Sequence, residues 1–333
     1  YTGGGCPHIL VEPQRTNLVT YSEDFSQSSW QKQSAGVASA PIVTSNYSIS
    51  PDGTLNADRV VFNINAGTTS SDFSQIADQI TNNIGDVTNS IWIKSNTTSN
   101  YNMSFVDPNA NYTSIVVTTE WRRFDVTSTT SSTASALRLR LRGSEATSNS
   151  ADVSVWGAQV EEGSYPTSYI PTSGSTSTRN AEVCNNSGSS DLINSTEGVL
   201  YCEIAALADD LTFRGIALSD GTNDNRVLLR YRTTSNQINL FIRANSTTIV
   251  NSTKALTDIT NYSKIAIKYK SGDIALWVDG QEAKTHTNTF TLIGLDRLNF
   301  DAGNGSDDFY GKVKCVAVFK EALTDAQLTA LTT

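Results

Sequence analysis

The sequence predicts an all-β protein, with two β-sandwich domains in tandem and a short C-terminal helix. Three observations carry that expectation. The length, 333 residues, suits two ordinary domains that each bury a core. Short runs alternate apolar and polar residues at a period of two, between clusters of Asn, Ser, Thr, Pro and Gly. From Thr172 the composition collapses to Ser, Thr and Gly, which offers little to bury and reads as a connection. The expected plan is a flexible lead over 1–9, a first sandwich over 10–172, a linker over 173–190 and a second sandwich over 191–333.

Taken in order, the lead holds three consecutive glycines. Trp30 is expected to pack beneath the loop YSEDFSQSSW. Asp52 and Gly53 make a turn ahead of the strand in PDGTLNADRVVFNI. Strands follow at SIWIKS, YNMSFV, TSIVVTT, RRFDVTS, ALRLRLRG and DVSVWGAQ. Residues 70–84 show a helical stripe through Phe73, Ile76 and Ile80, which leaves a helix and a strand of broken register both open. Near Gly163 the chain should leave the sheet as an ordered strap, because Pro166 and Pro171 remove two backbone donors. In the second half, TEGVLYCEIAAL, FRGIALSDG, RVLLRYRT, INLFIRAN, SKIAIKYKSG, IALWVDGQ, RLNFDAG and YGKVKCVAVFK read as strands, with hairpin signals at SGD and VDGQ. Thr324 stands three residues before Gln327, a capping box that opens the final helix.

Two groups of motifs carry a family resemblance. LVEPQRTNLVTYSEDF (10–25) and VSVWGAQVEEGSYPTSYIPTSGS (153–175) resemble the opening and closing signatures of a β-sandwich module of phage tail-fibre, head-fibre and related virion proteins, itself similar to carbohydrate-binding jelly rolls. TEGVLYCEI, LWVDG and GKVKCVAVFKEALTDAQL resemble the concanavalin A-like, laminin-G-like jelly rolls. The resemblance implies two jelly-roll sandwiches, attachment or virion architecture rather than catalysis, and neighbouring first and last strands in the second domain. That neighbourhood would set Cys202 near Cys315.

Composition narrows the function. With 24 Lys plus Arg against 33 Asp plus Glu, the net charge of -9 argues against nucleic acid and an anionic membrane surface as partners. No apolar run approaches the roughly 20 residues that span a bilayer, so no membrane insertion is expected. The start YTGGGCPH lacks an initiator Met and a signal pattern, and reads as internal to a longer polypeptide. Cys6, Cys184, Cys202 and Cys315 lack metal-ligand spacing and read as free thiols, as in a protein folded in bacterial cytoplasm. The N-x-S/T triplets at Asn96, Asn111, Asn245 and Asn251 follow from the composition. Only His8 and His286 offer an imidazole, which leaves little for a zinc site or a Ser/His/Asp triad. The paired acids Glu161 and Glu162, and Asp307 and Asp308, read as solvated turns rather than as glycosidase carboxylates facing one another across a sugar. No cofactor is expected. Asp220, Asp224, Asp301, Asp307 and Asp308 lie in loops where they either form turns or hold a structural Ca²⁺.

Splitting the second-half strands by parity supplies a candidate site. Val227, Leu229, Tyr231, Ile238, Leu240, Ile242, Ile265, Ile267, Tyr269, Ile274, Leu276 and Val278 take one face, the core. The opposite parity collects Arg230, Arg232, Phe241, Arg243, Lys268, Trp277 and Asp279. Guanidinium forks suit carboxylate or sulfate, and aromatic faces stack on sugars. A solvated or subunit-packing face is the plain alternative. In the first domain Leu137, Leu139 and Leu141 alternate with Arg138, Arg140 and Arg142, and a solvated face is expected there.

The expected function is a non-catalytic glycan-binding or adhesive module of a phage virion appendage that contacts the host surface. Its alternatives are a structural spacer or decoration of the virion, and a carbohydrate-binding appendage of a secreted bacterial polysaccharide-degrading enzyme. Expected partners are a polysaccharide or cell-surface glycan, other virion proteins and copies of the chain itself, as a trimer in a fibre. The expected location is the virion surface or the extracellular space.

Overall fold

The computed structural model describes residues 8–333. Cys6 and positions 1–7 of the expected lead lie outside the described residues. The first thirteen strands are β1 (Ile9–Val11), β2 (Arg15–Asn17), β3 (Trp30–Ala35), β4 (Ser39–Ile49), β5 (Leu55–Asn63), β6 (Phe73–Thr81), β7 (Gly85–Ser95), β8 (Tyr101–Val106), β9 (Tyr112–Val117), β10 (Arg122–Thr130), β11 (Ala134–Arg142), β12 (Ser150–Glu162) and β13 (Ser177–Arg179). Then come β14 (Glu197–Ala206), β15 (Arg214–Ser219), β16 (Arg226–Tyr231), β17 (Gln237–Ala244), β18 (Thr247–Ala255), β19 (Ser263–Lys270), β20 (Ile274–Val278), β21 (Gln281–His286), β22 (Arg297–Asn299), β23 (Gly311–Phe319) and the helix α1 (Asp325–Thr332). The all-β class holds, with that helix opened by the Thr324/Gln327 capping box.

The N-terminal unit spans Gln14–Asn180. Its sheets, ordered β10-β7-β12-β5-β4 and β3-β6-β11-β8-β9, enclose a core that includes Phe62, Ile91, Phe105, Leu137, Leu139 and Val155. The ambiguous stretch around Phe73 is a strand. Ile76 and Ile80 reach the core, and the helical spacing arose because Asp78, at an inward position between them, is polar yet buried. Trp30 is buried as expected, donating from Nε1 to the Tyr21 carbonyl at 2.8 Å and lying 4.6 Å from Phe25 ring to ring. The proline strap is ordered by buried acceptors. Gln159 Oε1 accepts from the Ile170 N–H at 2.7 Å, and Glu161 accepts from the Thr167 N–H at 3.0 Å and from its hydroxyl. Glu161 is therefore fully buried, which corrects the solvated-turn reading.

The C-terminal unit comprises Ala181–Thr333 together with positions 8–13. β1 pairs antiparallel with β23, setting Ile9 opposite Val313 and Val11 opposite Gly311, and Val11 is buried in the C-terminal core. The expected boundaries shift accordingly: positions 8–13 serve the second sandwich, and Ser177–Arg179 of the expected linker pairs with β2. Three-residue strands are too short for a period-two signal, and the Ser/Thr run pairs because extended threonines satisfy one another, as Thr16 and Thr178 do at 2.8 Å.

Two sheets build this sandwich, a six-stranded one ordered β1-β23-β14-β19-β20-β21 and a five-stranded one ordered β18-β17-β16-β15-β22. All twelve residues assigned inward by parity lie in one core between them. β14 and β23 are neighbours as the resemblance implied. Cys202 is fully buried while Cys315, opposite Glu203, is exposed, and Cys184, Cys202 and Cys315 are free. β18 escaped notice because its hairpin turn, Asn245–Ser246, reaches φ 45° and 63° without a glycine.

Candidate ligand-binding face

The candidate residues divide between the two outer faces of the C-terminal sandwich, since parity separates inside from outside but not one outside from the other. Arg230, Phe241 and Arg243 stand on the five-stranded sheet, and Arg232 follows β16. Lys268 and Trp277 stand on β19 and β20 of the six-stranded sheet. No single seven-residue face exists.

The six-stranded side is closed by its own chain. Trp277 packs with Val199, Tyr201 and Leu328 of α1, leaving 6 % of its surface exposed. Lys268 sits between Asp273 at 2.8 Å and Asp325, in the first turn of α1, at 3.2 Å. Burial pulls the Lys268 pKa down, but the hydrogen bonds that the ammonium donates to the two carboxylates outweigh it and hold it above the ordinary lysine value. Asp279 belongs to the β20–β21 turn, where it and Gly280 take φ of 46° and 79° and its Oδ1 accepts from the Lys264 N–H at 2.8 Å. These three residues are structural, which corrects their assignment to a sugar-binding face.

The five-stranded side is different. β16 and β17 set Arg226 opposite Arg243, Leu228 opposite Phe241 and Arg230 opposite Asn239. The connection after β22 folds over one half of this face. Gly303 (φ 88°) lies so near Ser219 that a Cβ would come within 2.7 Å of its Cβ. Only glycine allows that approach. Arg226 Nη1 donates to the Ala302 carbonyl of the connection at 2.6 Å. Its guanidinium lies 5.2 Å from the Phe241 ring centroid, and that of Arg230 lies 5.3 Å from the same ring and 4.3 Å from Phe213. Phe241 is thus 8 % exposed, held beneath cations rather than bare for stacking.

Charge on this face is poorly compensated. Arg230 pairs with Asp307 at 3.5 Å and takes Asn239 Oδ1 at 3.1 Å. Burial first, then the neighbouring Arg230 and Arg243, lowers the Arg226 pKa; burial likewise lowers that of Arg230, with Arg232 adding to it against Asp307. The Nε atoms of Arg226, Arg232 and Arg243 are buried without a hydrogen-bond partner. Arg226 was on the right parity in the sequence but outside the candidate set; its pairing opposite Arg243 is what makes it central.

The loop aspartates spend their oxygens on the protein. Asp220 accepts from Thr222 and Asn225, Asp301 from the Gly303 N–H, and Asp308 from Tyr310. Among the described residues no group of three His, Cys, Asp or Glu side chains is placed to hold a metal ion.

Residues 206–329, from the end of β14 into α1, match the family model described as the concanavalin A-like lectin/glucanases superfamily. Similar solved structures include the CBM40 of the Ruminococcus gnavus IT-sialidase bound to α2,3-sialyllactose, at 14 % identity over 46 % of this chain and 95 % of that one (TM-score 0.36). Domain 4 of AbnA, a GH43 extracellular arabinanase from Geobacillus stearothermophilus, in complex with arabinotriose, is 13 % identical over 48 % and 73 % (TM-score 0.37). Domains LG4-5 of the mouse laminin α1 chain are 9 % identical over 79 % and 91 % (TM-score 0.29). No curated protein matches the chain.

Proposed function

We propose that the protein is a non-catalytic, adhesive glycan-binding module whose C-terminal sandwich takes acidic saccharides on the outer face of its five-stranded sheet. One observation carries this reading: Arg226 and Arg230 lie over Phe241, Arg243 stands opposite Arg226 in the register, and among the described residues Asp307 is the one carboxylate in ion-pair range of them. Like charges held together on a sheet are destabilising unless an anion meets them. Guanidinium forks fit a carboxylate or sulfate in two bonds at once. Phe241 then serves to hold the forks, and Arg232 and Arg243, both half-buried, are the ones free to reach a ligand. The match over 206–329 to a superfamily of lectins and glucanases supports the reading, because it spans all the strands of this face.

The signatures at 10–25 and 153–175 favour an appendage of a phage virion at the host surface, where repeated copies raise avidity without new contacts. A glycan array of neutral, uronate-bearing and sulfated saccharides tests the reading. Acidic saccharides should bind selectively, and Arg243→Gln should weaken them about tenfold, the effect of one charged hydrogen bond of about 1.5 kcal/mol, without lowering Tm. An array without acidic preference, or an Arg243→Gln variant of unchanged affinity, would overturn it. A silent array would favour a virion spacer, and a catalytic domain in the parent polypeptide would favour an appendage of a polysaccharide-degrading enzyme.

A further inference from the structure

The outer face of the N-terminal sheet β3-β6-β11-β8-β9 is built from rungs that can be followed across it. One rung runs Gln33, Gln75, Arg140, Ser104, Ser114 over all five strands. The next runs Gln31, Ala77, Arg138, Val106, Tyr112, and a third sets Phe73 beside Arg142.

Hydrogen bonds relay along the first rung. Gln75 Nε2 donates to Gln33 Oε1, Gln75 Oε1 accepts from Arg140 Nε at 2.7 Å and from Nη2 at 2.5 Å, and Arg140 Nη1 donates to the Tyr112 hydroxyl at 2.7 Å. The Arg140 guanidinium lies 3.9 Å from the Phe73 ring centroid and 4.9 Å from that of Tyr112, while Arg142 lies 4.2 Å from Tyr112. Arg140 is 7 % exposed: it is a fixed element that orients its neighbours. Both rings carry cations, and Tyr112, on the edge strand β9, keeps 42 % of its surface exposed.

Three arginines thus project from alternate positions of β11, and among the described residues Glu145 is the one carboxylate paired with them, held by Arg142 at 3.1 Å and by Ser104. Arg138 has no ion pair among the described residues and remains half-exposed. A merely solvated sheet face spreads charges of both signs to relieve repulsion. Here one sign is concentrated and oriented, and amides and hydroxyls that suit sugar hydroxyls surround it.

We propose that this face is a second, separate recognition site, taking the carboxylate or sulfate groups of an acidic polysaccharide through Arg138 and Arg142 and rejecting neutral polysaccharide. It rests on the N-terminal geometry and not on the C-terminal site.

The test uses the full chain with immobilised polygalacturonate and dextran sulfate as probes and neutral dextran as control. Arg138→Gln should weaken binding to at least one acidic probe about tenfold, as expected for one charge-assisted contact. Arg138→Lys, which keeps the charge and loses the fork, should fall between. Arg122→Gln removes an equal charge from exposed β10 in the opposite sheet and should change little. Tm confirms that each variant folds. Loss on Arg138→Gln with none on Arg243→Gln supports this site and sinks the C-terminal one; loss on Arg243→Gln with none on Arg138→Gln does the reverse. Equal loss on Arg122→Gln and Arg138→Gln would mean general electrostatic attraction and overturn the proposal. So would equal binding of neutral dextran, or displacement of the acidic probes by single-stranded RNA at matched charge.

Discussion

Trp277 and Phe241 are both aromatic residues among cations on outer faces of the C-terminal sandwich, and both are nearly buried, at 6 % and 8 % exposure. What buries them differs. Trp277 is covered by apolar side chains, Leu328 of α1 among them, and the nearby ammonium of Lys268 is met by two carboxylates. Phe241 packs against Ala217, Leu228 and Ala302 and lies beneath the guanidiniums of Arg226 and Arg230, and among the described residues the one ion pair these make is Arg230 with Asp307, Asp301 acting on Arg226 from further off. Burial alone therefore does not separate a structural aromatic from one in a recognition face. The charge balance of the cover does: a neutralised cover is finished, and an uncompensated one still has binding capacity.

The largest expected effect follows from the finished side. Trp277→Ala removes a large side chain from between the sheet and α1, and should cost about 3–5 kcal/mol in denaturant unfolding. Affinity for acidic saccharides, measured where the variant is folded, should stay unchanged because the ring faces away from the arginine sheet. A loss of affinity at unchanged stability would break the comparison.

A smaller effect is expected at Asp279. At φ 46° an alanine would pay the left-handed penalty and lose the acceptor for the Lys264 N–H, so Asp279→Ala should cost about 1–2 kcal/mol. Asp279→Asn keeps both the tolerated conformation and an acceptor, and should fall well below that. Equal costs from chemical denaturation would show that the turn is not what Asp279 supplies.

Much of this was legible in the sequence, and the losses have physical causes. Inward parity was read correctly in β16, β17, β19 and β20 because a half-buried strand alternates whatever its partners are. The same alternation cannot say which sheet a strand joins, so Arg230 and Lys268 were merged although opposite sheets carry them. The cover of Trp277 was hidden for another reason: α1 was foreseen from its capping box, but its docking surface depends on tertiary packing. β1 and β13, three residues each, are too short for a periodic signal, β18 was hidden by its glycine-free turn, and the place of β1 in the C-terminal sheet is a non-local pairing that no window on the sequence contains.

The smallest effect should come from Lys268, and it sharpens what neutralised means. Its side chain is 6 % exposed, but those of Asp273 and Asp325 are 51 % and 66 % exposed, so both carboxylates keep water if the lysine is lost. Solvent screening then limits the cost of Lys268→Met to about 1 kcal/mol, well below that of a fully buried pair. The sign with pH follows from the folded-state pKa, which stands above the ordinary lysine value. While Asp273 and Asp325 are ionised, the contribution is fully present from neutral pH up to the unfolded lysine pKa of about 10.4, and on the alkaline side it is lost as pH rises through the higher folded value. Stability curves of wild type and Lys268→Met should therefore run parallel from pH 7 to about pH 9 and converge at higher pH. Convergence already near pH 8 would mean that the ammonium is not held by these carboxylates, and that the helix-covered face carries uncompensated charge as the arginine face does.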